Sequence, residues 1–489
     1  MMELDRSSCD RARRSRDARF DGRFFIGVTT TGIYCRPICP ARAPKDENVR
    51  YFPTAAAAQA AGFRPCLRCR PEASPGTPAW LGTSGLVSRA LRLISEGALD
   101  GDGVDRLADR LGVTARHLRR LFREHLGATP REVALTRRVH FAKKLLDETT
   151  LAFDEVALAS GFGSVRRFNG QIRETYERTP TELRRLARRR SAADPECYTL
   201  RLAYRPPYDW EAMLSFLSLR AVPGVETVLE SRYRRTIRID GKNGVIEVSR
   251  LNHRSELELD VRFPDPRALL SIVERVRRQF DLGADPTVIT EHLQVDPLLR
   301  GPLAAHPGIR IPGAWDAFEV AVRAILGRGL SVRATTRMMG RIASMFGSSL
   351  LDSGGLERLF PAPAQLANAA FERAGVAPSR AEAIRTLARQ GVLGPGTAEY
   401  VALRASGEPD AFPGEDRVLR HMAGAATASE LERRSEAWRP WRAYAAVLLW
   451  QVWNDQARRK MHAQSKQQSS MGRVRSHGSL GKLAAHGAG

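Results

Sequence analysis

The chain has 489 residues, enough for about three to four domains with cores of their own. Its 77 Lys and Arg against 54 Asp and Glu leave a formal charge of +23 and a pI near 10.7, which points to nucleic acid or another acidic surface as partner. No apolar run is long enough to span a membrane and no apolar segment relieves Arg11, Arg13, Arg14 and Arg16 near the N-terminus, so a membrane protein and a secreted one are both excluded from the expectation.

Residues 1–190 carry 36 Lys and Arg against 22 Asp and Glu, a net of +14, so the front half is expected to be the stronger reader of DNA. Four of the six cysteines stand there as Cys35-x3-Cys39 and Cys66-x2-Cys69. Two close pairs, each on a tight turn and separated by a long loop, suit a tetrahedral four-thiolate zinc site. A disulfide framework is the competing reading, but it needs an oxidising compartment that nothing else in the sequence suggests. Cys9 and Cys197 lie outside the pattern and are expected to be incidental thiols.

Four thiolates on one divalent ion leave a formal charge of minus two, so a coordinating sulfur stays deprotonated and nucleophilic at neutral pH. Arg36, Arg42, Arg64, Arg68 and Arg70 crowd the pattern and would draw an anionic polymer toward it. The runs Thr30-Thr31-Gly32-Ile33-Tyr34-Cys35-Arg36-Pro37, Glu47-Asn48-Val49 and Ala61-Gly62-Phe63-Arg64-Pro65-Cys66 resemble the N-terminal domain of the Ada-type alkylation-response proteins, over about Asp17 to Pro71. The resemblance implies one zinc ion on Cys35, Cys39, Cys66 and Cys69. It also implies that Cys35 takes a methyl group irreversibly from a methylphosphotriester in DNA. Methylation would turn a thiolate into a neutral thioether, reduce repulsion from phosphates and tighten DNA binding, so repair would double as a signal. An inert structural zinc knot is the blander alternative.

Residues 1–75 are thus read as the zinc methyl-acceptor domain and 76–85 as a turn-rich linker. From Leu86 the pattern is helical. Val104, Leu107, Ala108 and Leu111 share one face, Gly112 breaks it, and Leu118, Leu121 and Phe122 begin the next, which is helix-turn-helix spacing. Arg116, Arg119, Arg120 and Arg123 lie opposite, placed for phosphates or base edges. A second unit follows through Phe153, Val156 and Ala157 to Phe168, Ile172 and Tyr176, with Ser164, Arg166, Arg167 and Gln171 outward. Each unit closes on a Thr-Pro pair, Thr129-Pro130 and Thr179-Pro180. The whole of 86–190 resembles an AraC-type DNA-binding domain, with a joining helix around Arg138 to Leu146. That resemblance implies an activator that reads promoter DNA, with RNA polymerase as the further partner.

From Tyr198 the period becomes alternation. Strands are expected at 198–204, 233–239, 245–251 and 257–263, with helices at 209–219 and 269–280, giving a small antiparallel sheet domain over 196–295. Its Tyr204-Arg205-Pro206-Pro207-Tyr208-Asp209-Trp210 and Ala221-Val222-Pro223-Gly224-Val225-Glu226 resemble the N-terminal domain of AlkA-type 3-methyladenine DNA glycosylases. The likeness continues through Ile311-Pro312-Gly313, the run 315–327, Tyr400-Val401-Ala402-Leu403-Arg404 and Trp438-Arg439-Pro440-Trp441-Arg442-Ala443-Tyr444. It places 296–456 in the all-α helix-hairpin-helix class, whose members flip a damaged base out of the duplex.

The resemblance gives Asp416 the catalytic role, a carboxylate that stabilises the sugar cation formed as the glycosidic bond breaks. Tyr400 and Trp450 match positions that line the base pocket, where electron-rich rings favour cationic alkylated purines. The expected hairpin carries Gly394 and Gly396 as an amide nest for a DNA phosphate. It is shortened by about twenty residues relative to the family pattern, the size of one helix with its loop. Gly396 replaces a pocket tryptophan, and Gly329 stands where relatives carry a bulky wedge, beside Arg328. With no lysine at the hairpin, strand cleavage is not expected, and no second acceptor motif suggests repair of O6-methylguanine. Residues 457–489 read as a basic disordered tail.

The expected fold is therefore multidomain α+β: a small zinc-bound α/β domain, an all-α double helix-turn-helix domain, a small antiparallel sheet with helices, and an all-α glycosylase domain. The expected function is an alkylation-damage response protein of the cytoplasm and nucleoid. It accepts methyl groups from DNA, activates repair genes and excises bases such as 3-methyladenine as a DNA-3-methyladenine glycosylase II. The alternative is a sensor and activator whose glycosylase module only binds DNA. The partners are damaged and promoter duplex DNA and no membrane; the sequence specifies no oligomeric state.

Overall fold

The computed structural model describes residues 5–75, 85–101, 103–187, 197–350 and 355–459. Most of the expected linker at 76–85, the end of the basic run at 188–190 and the tail from 460 lie outside the described residues. No helix among the described residues is long and apolar enough to cross a membrane.

The first domain opens with a helix that alternation and charge did not reveal, α1 (Arg6–Ser15), capped by Asp5, whose side chain accepts from the Ser8 N–H at 2.6 Å. Its sheet is built from β1 (Phe25–Val28), β2 (Ile33–Cys35), β3 (Val49–Phe52) and β4 (Arg64–Pro65) in the order β3-β1-β2-β4. The short helix α2 (Ala55–Ala60) lies against it, and Phe25, Tyr34, Phe52 and Phe63 fill the space between. The register pairs Ile26 with Cys35 on β2 and Tyr34 with Pro65 on β4. Adjacent strand ends thus carry the first and third cysteines of the pattern side by side.

The all-α domain runs α3 (Gly85–Ser95), α4 (Val104–Arg110), α5 (Ala115–Leu126), α6 (Pro130–Glu148), α7 (Phe153–Ala159), α8 (Val165–Tyr176) and α9 (Pro180–Leu186). The two Thr-Pro pairs close their units by starting the next helix. Thr129 and Thr179 each exchange hydrogen bonds with the glutamate three residues on, and the proline after each takes the first helical position, where no N–H is needed. Gly127 ends α5 at φ +67°, a left-handed cap suited to glycine. Leu107, Leu118 and Phe122 bury between the helices of the first unit. The core of the second unit, Val156, Phe168 and Ile172, is continuous with that of the sheet that follows.

That sheet has the order β5-β9-β8-β7-β6, from β5 (Cys197–Ala203), β6 (Glu226–Leu229), β7 (Arg232–Ile239), β8 (Lys242–Arg250) and β9 (Glu256–Arg262). It is antiparallel throughout, as expected, and holds one strand more than expected. β6 is short and has three half-buried residues and one exposed, so no alternation marks it; the turn at Glu230 and Ser231, both at positive φ, folds β7 back onto it. The inner face, with Leu200, Tyr233, Ile246 and Leu259, packs on α10 (Trp210–Ser218) and α11 (Leu269–Gln279).

The last region comprises α12 (Pro286–Leu293), α13 (Pro297–Ala305), α14 (Ala317–Gly327), α15 (Val332–Phe346), α16 (Pro363–Leu366), α17 (Pro378–Gln390), α18 (Pro395–Arg404), α19 (Arg417–Ala423), α20 (Ala428–Ser435) and a helix α21 over residues 442–459. It has two apolar cores. One gathers α12, α13, α19, α20 and α21; the other gathers α14, α15 and α17. Tyr400 of α18 packs against both, so it stands where the two meet. The buried ion pair Arg23–Asp285, 3.0 Å apart with both side chains 3% exposed, ties the zinc domain to the cap of α12.

Candidate functional site

Three places carry chemistry. At the first, the Sγ atoms of Cys35, Cys39, Cys66 and Cys69 all lie within 4.8 Å of one another. Sulfurs at the corners of a tetrahedron with about 2.3 Å bonds are about 3.8 Å apart, so the cluster fits one zinc ion. The donor chemistry requires a cation as well. Sulfur–sulfur contacts push the Cys35 thiol up, by Cys39 first, and raise Cys69, while they hold Cys39 down to about 7 and Cys66 lower still. Four thiols in this space can ionise together only around a positive ion. Cys66 and Cys69 are buried, whereas Cys35 and Cys39 are half-exposed and are the sulfurs that solvent or DNA can reach.

The arginines around the cluster separate into two kinds. Arg42 and Arg68 are exposed and carry no ion pair among the described residues. Arg64 pairs with Glu177 at the end of α8 at 3.0 Å. Arg36 corrects the expectation of a DNA-facing cation. Its guanidinium is buried against Asp21 and donates to the Cys69 carbonyl at 3.0 Å, and its amide donates to Cys69 Sγ at 3.4 Å. A charged side chain held in this way braces the two cysteine loops against each other. A neighbour that spacing could not reveal is Tyr34. Its hydroxyl bonds His140 Nε2 of α6 at 2.9 Å and accepts from Gln59 at 2.9 Å, and Thr136 of α6 donates to Gln59 at 2.9 Å. Burial holds His140 down to about 4, so its neutral ring accepts from Tyr34. The residue beside Cys35 is therefore bonded directly to the helix that joins the two DNA-reading units.

We expect a strong chelator to remove one zinc ion per chain and, with it, the folded state of this domain. Its core is small, and metal binding in such a module is folding free energy of about 10 kcal/mol or more. One equivalent of released zinc, together with loss of protection of the amides of β1 to β4 in hydrogen exchange, checks this. Retained protection in the zinc-free chain would contradict it.

At the second place, Arg116, Arg119 and Arg120 on α5 and Arg166 and Arg167 on α8 are all exposed on the sides opposite the buried Leu118, Phe122, Phe168 and Ile172. Thr114 and Ser164 cap these helices with side chains that accept from His117 and Arg167 amides. Each arginine-bearing face thus begins at a defined helix start.

At the third, Asp416 caps α19. Its Oδ1 accepts from the Leu419 N–H at 2.9 Å and from Trp450 Nε1 at 3.3 Å, while Oδ2 has no hydrogen bond among the described residues. Trp450 meets Tyr400 edge to face with centroids 6.3 Å apart. Asp416, Trp450 and Tyr400, distant in sequence, are thereby contiguous. Glu415 is exposed. The hairpin forms without an additional helix: α17 ends at Gly391, φ +69°, and Gly394 caps α18 three residues later, with Gly396 in the first turn of α18. The 13-residue α17 and α18 thus meet directly in a short turn. At Gly329 the backbone has φ +71° with open space around it, and the exposed Arg328 next to it donates to Thr397 of the hairpin helix at 3.3 Å.

A four-cysteine centre, two arginine-faced helix-turn-helix units and a carboxylate beside two aromatic rings in a two-core helical region define a multidomain DNA-repair and regulatory protein. Comparison with known proteins agrees part by part. Residues 8–72 match the metal binding domain of Ada, residues 107–186 a helix-turn-helix domain, and residues 199–316 the AlkA N-terminal domain. The chain is 42% identical over 484 residues to the probable bifunctional transcriptional activator/DNA repair enzyme AlkA of Mycobacterium tuberculosis, covering 92% of this chain and 97% of that protein. It is 34% identical to DNA-3-methyladenine glycosylase 2 of Escherichia coli, over 52% of this chain and 96% of that one. It is 33% identical to the bifunctional transcriptional activator/DNA repair enzyme AdaA of Bacillus subtilis, over 35% of this chain and 79% of that one. The chain belongs to the family of bifunctional transcriptional activator/DNA repair enzymes in which an Ada-type front is joined to an AlkA-type glycosylase.

Proposed function

We propose that this chain repairs methylphosphotriesters with Cys35, carries the result to promoters through its paired helix-turn-helix units, and excises alkylated bases such as 3-methyladenine with Asp416. The observation that carries the reading is the presence, in one chain, of a four-thiol cluster tied through Tyr34 to α6, the helix between the two helix-turn-helix units, and of a carboxylate with one free oxygen beside two aromatic rings. The metal's contribution is to keep the Cys35 sulfur a thiolate at neutral pH. The sulfur's lone pair attacks the methyl carbon, the bond between that carbon and the ester oxygen breaks with its electrons left on oxygen, and the DNA phosphodiester leaves as an anion. Cys35 suits this role because it is half-exposed, whereas Cys66 and Cys69 are buried and Cys69 also accepts from the Arg36 amide. Arg42, Arg64 and Arg68 would hold the DNA backbone there, and Arg116, Arg119, Arg120, Arg166 and Arg167 the promoter. Gly394 and Gly396 at the start of α18 would meet a phosphate beside the extrahelical base, with Tyr400 and Trp450 around it. RNA polymerase is the partner through which such an activator would act, in the cytoplasm at the nucleoid.

The signalling step makes its own prediction. Methylating Cys35 removes one negative charge beside the DNA, so the methylated chain should bind its promoter about tenfold or more tightly at low salt, with the difference shrinking as salt is added. Titration of unmodified and methylated chain against promoter DNA at two salt concentrations checks it; equal affinities at low salt would remove the signalling role. The alternative of a DNA-binding but inactive glycosylase module rests on Gly329 and Gly396 standing where relatives have bulky side chains. Base release decides between the two.

A further inference from the structure

The aromatic side chains near Asp416 do not end at Trp450. One turn further along α21 stands Trp453, 37% exposed, and its ring meets that of His421 of α19 edge to face with centroids 5.3 Å apart. Positions three apart on a helix are surface neighbours, so Trp450 and Trp453 share one side of α21. Tyr400, Trp450, Trp453 and His421 thus follow one another as a row of rings that starts at the hairpin helix α18 and runs out to solvent. Neither Trp453 nor the exposed His421 has a hydrogen bond on its ring among the described residues.

Cations flank the outer end of this row. Arg417 lies one turn before His421 on the same face of α19; it is exposed and forms no ion pair among the described residues. Arg420 is half-buried, and its Nε is buried without a hydrogen-bond partner. The acid nearest Trp453 in sequence, Asp455, is held by His306 at 3.0 Å, and the exposed Glu415 is a single acid against them. Rings in succession with arginines beside them hold single-stranded nucleic acid, whose bases stack on the rings while guanidiniums take the phosphates. An intact duplex keeps its bases stacked on each other and offers such rings only a nucleotide that has been extruded.

The loop that reaches the hairpin helix points to the same form of DNA. Arg328 touches Thr397, one turn before Tyr400, and beside it Gly329, φ +71°, offers no side chain; an added Cβ there would meet nothing within 4 Å. A base drawn out of a duplex leaves a hole in the stack and costs the breaking of a pair, which a side chain filling the hole would offset. A single strand has no pair to break and no hole to fill.

We propose that the glycosylase half acts on alkylated single-stranded DNA as a substrate in its own right: with the damaged base beside Asp416, Trp453 and His421 stack a neighbouring base of the same strand while Arg417 and Arg420 hold its phosphates. This rests on the base-excision reading and names the form of DNA that the site takes.

The test uses the zinc-loaded full chain and one oligonucleotide, methylated as a single strand and assayed both alone and annealed to its complement. Single-turnover release of 3-methyladenine from the free strand should be at least as fast as from the duplex. Trp453→Ala should slow release from the free strand about tenfold more than release from the duplex, and Trp453→Phe should restore most of the loss. A second readout needs no turnover: affinity for an unmodified oligothymidine, followed by fluorescence anisotropy, should fall about tenfold in Trp453→Ala. His421→Ala, at an exposed position, should shift both readouts in the same direction. Slower release from the free strand than from the duplex, or an equal loss on both forms of DNA in the two alanine variants, would overturn the proposal. Release from neither form removes the excision reading and this one with it, whereas release from the duplex alone removes only this one.

Discussion

Asp416→Asn is expected to lower release of 3-methyladenine from alkylated duplex DNA by a factor of about 10³ while leaving folding, zinc content and DNA affinity nearly unchanged. As the bond between base and sugar breaks, positive charge develops on the sugar, and only a carboxylate in a partly dry site meets it with a full negative charge. On the proposed reading Asp416 has both a structural and a chemical task. Its Oδ1 takes the Leu419 amide and the Trp450 N–H, which fixes the side chain, and its Oδ2 stays open for the developing cation. Asparagine keeps an acceptor oxygen for the cap, a near-neutral exchange at such a position, so the variant isolates charge from structure. The exposed Glu415 beside it has no comparable support and should not rescue activity. Single-turnover release from methylated DNA measures the effect. Release by Asp416→Asn within a few-fold of the natural chain would show that the stabilising charge lies elsewhere.

Cys35→Ser is expected to abolish methyl transfer from methylphosphotriesters, by more than about 10³, because a hydroxyl is neither ionised at neutral pH nor a comparable zinc ligand. Base release should persist in this variant, since the glycosylase half has two cores of its own, and the ion pair Arg23–Asp285 that joins it to the zinc domain does not involve the cysteines. Cys39→Ser is the informative companion. Cys39 is equally half-exposed, so both variants should weaken zinc binding, but only Cys35 should be found carrying the methyl group in the natural chain. Mass mapping after exposure to methylated DNA checks this, and methyl on Cys39 instead would reassign the nucleophile.

How much of this was legible in the sequence depended on how local each signal is. The two cysteine pairs lie within a few residues of each other and their spacing states the ligand set directly; the structure brings the four sulfurs together. The helix-turn-helix units follow from a repeating apolar period with glycine breaks, and the Thr-Pro pairs proved to be capping boxes. The sheet was readable wherever one face is buried, and β6 escaped because its face is not. What could not be read were pairings over long separations. Arg36 looks like a DNA contact until Asp21 is found against it, and Tyr34 looks like a core aromatic until Gln59 and His140 are found on its hydroxyl. Arg404 of α18 and Arg220 after α10 meet over the Phe216 ring from elements far apart in sequence, so no motif announces them.

The measurement that tests the central claim most directly is to expose the zinc-loaded full chain to duplex DNA treated with an isotopically labelled methylating agent, and to count both the label on protein cysteines and the free bases released. One methyl group per chain on Cys35, together with repeated release of labelled 3-methyladenine from the same preparation, is the predicted result. Label on Cys35 with no free base above the uncatalysed rate would contradict it and leave a sensor and activator joined to a fold that no longer cuts.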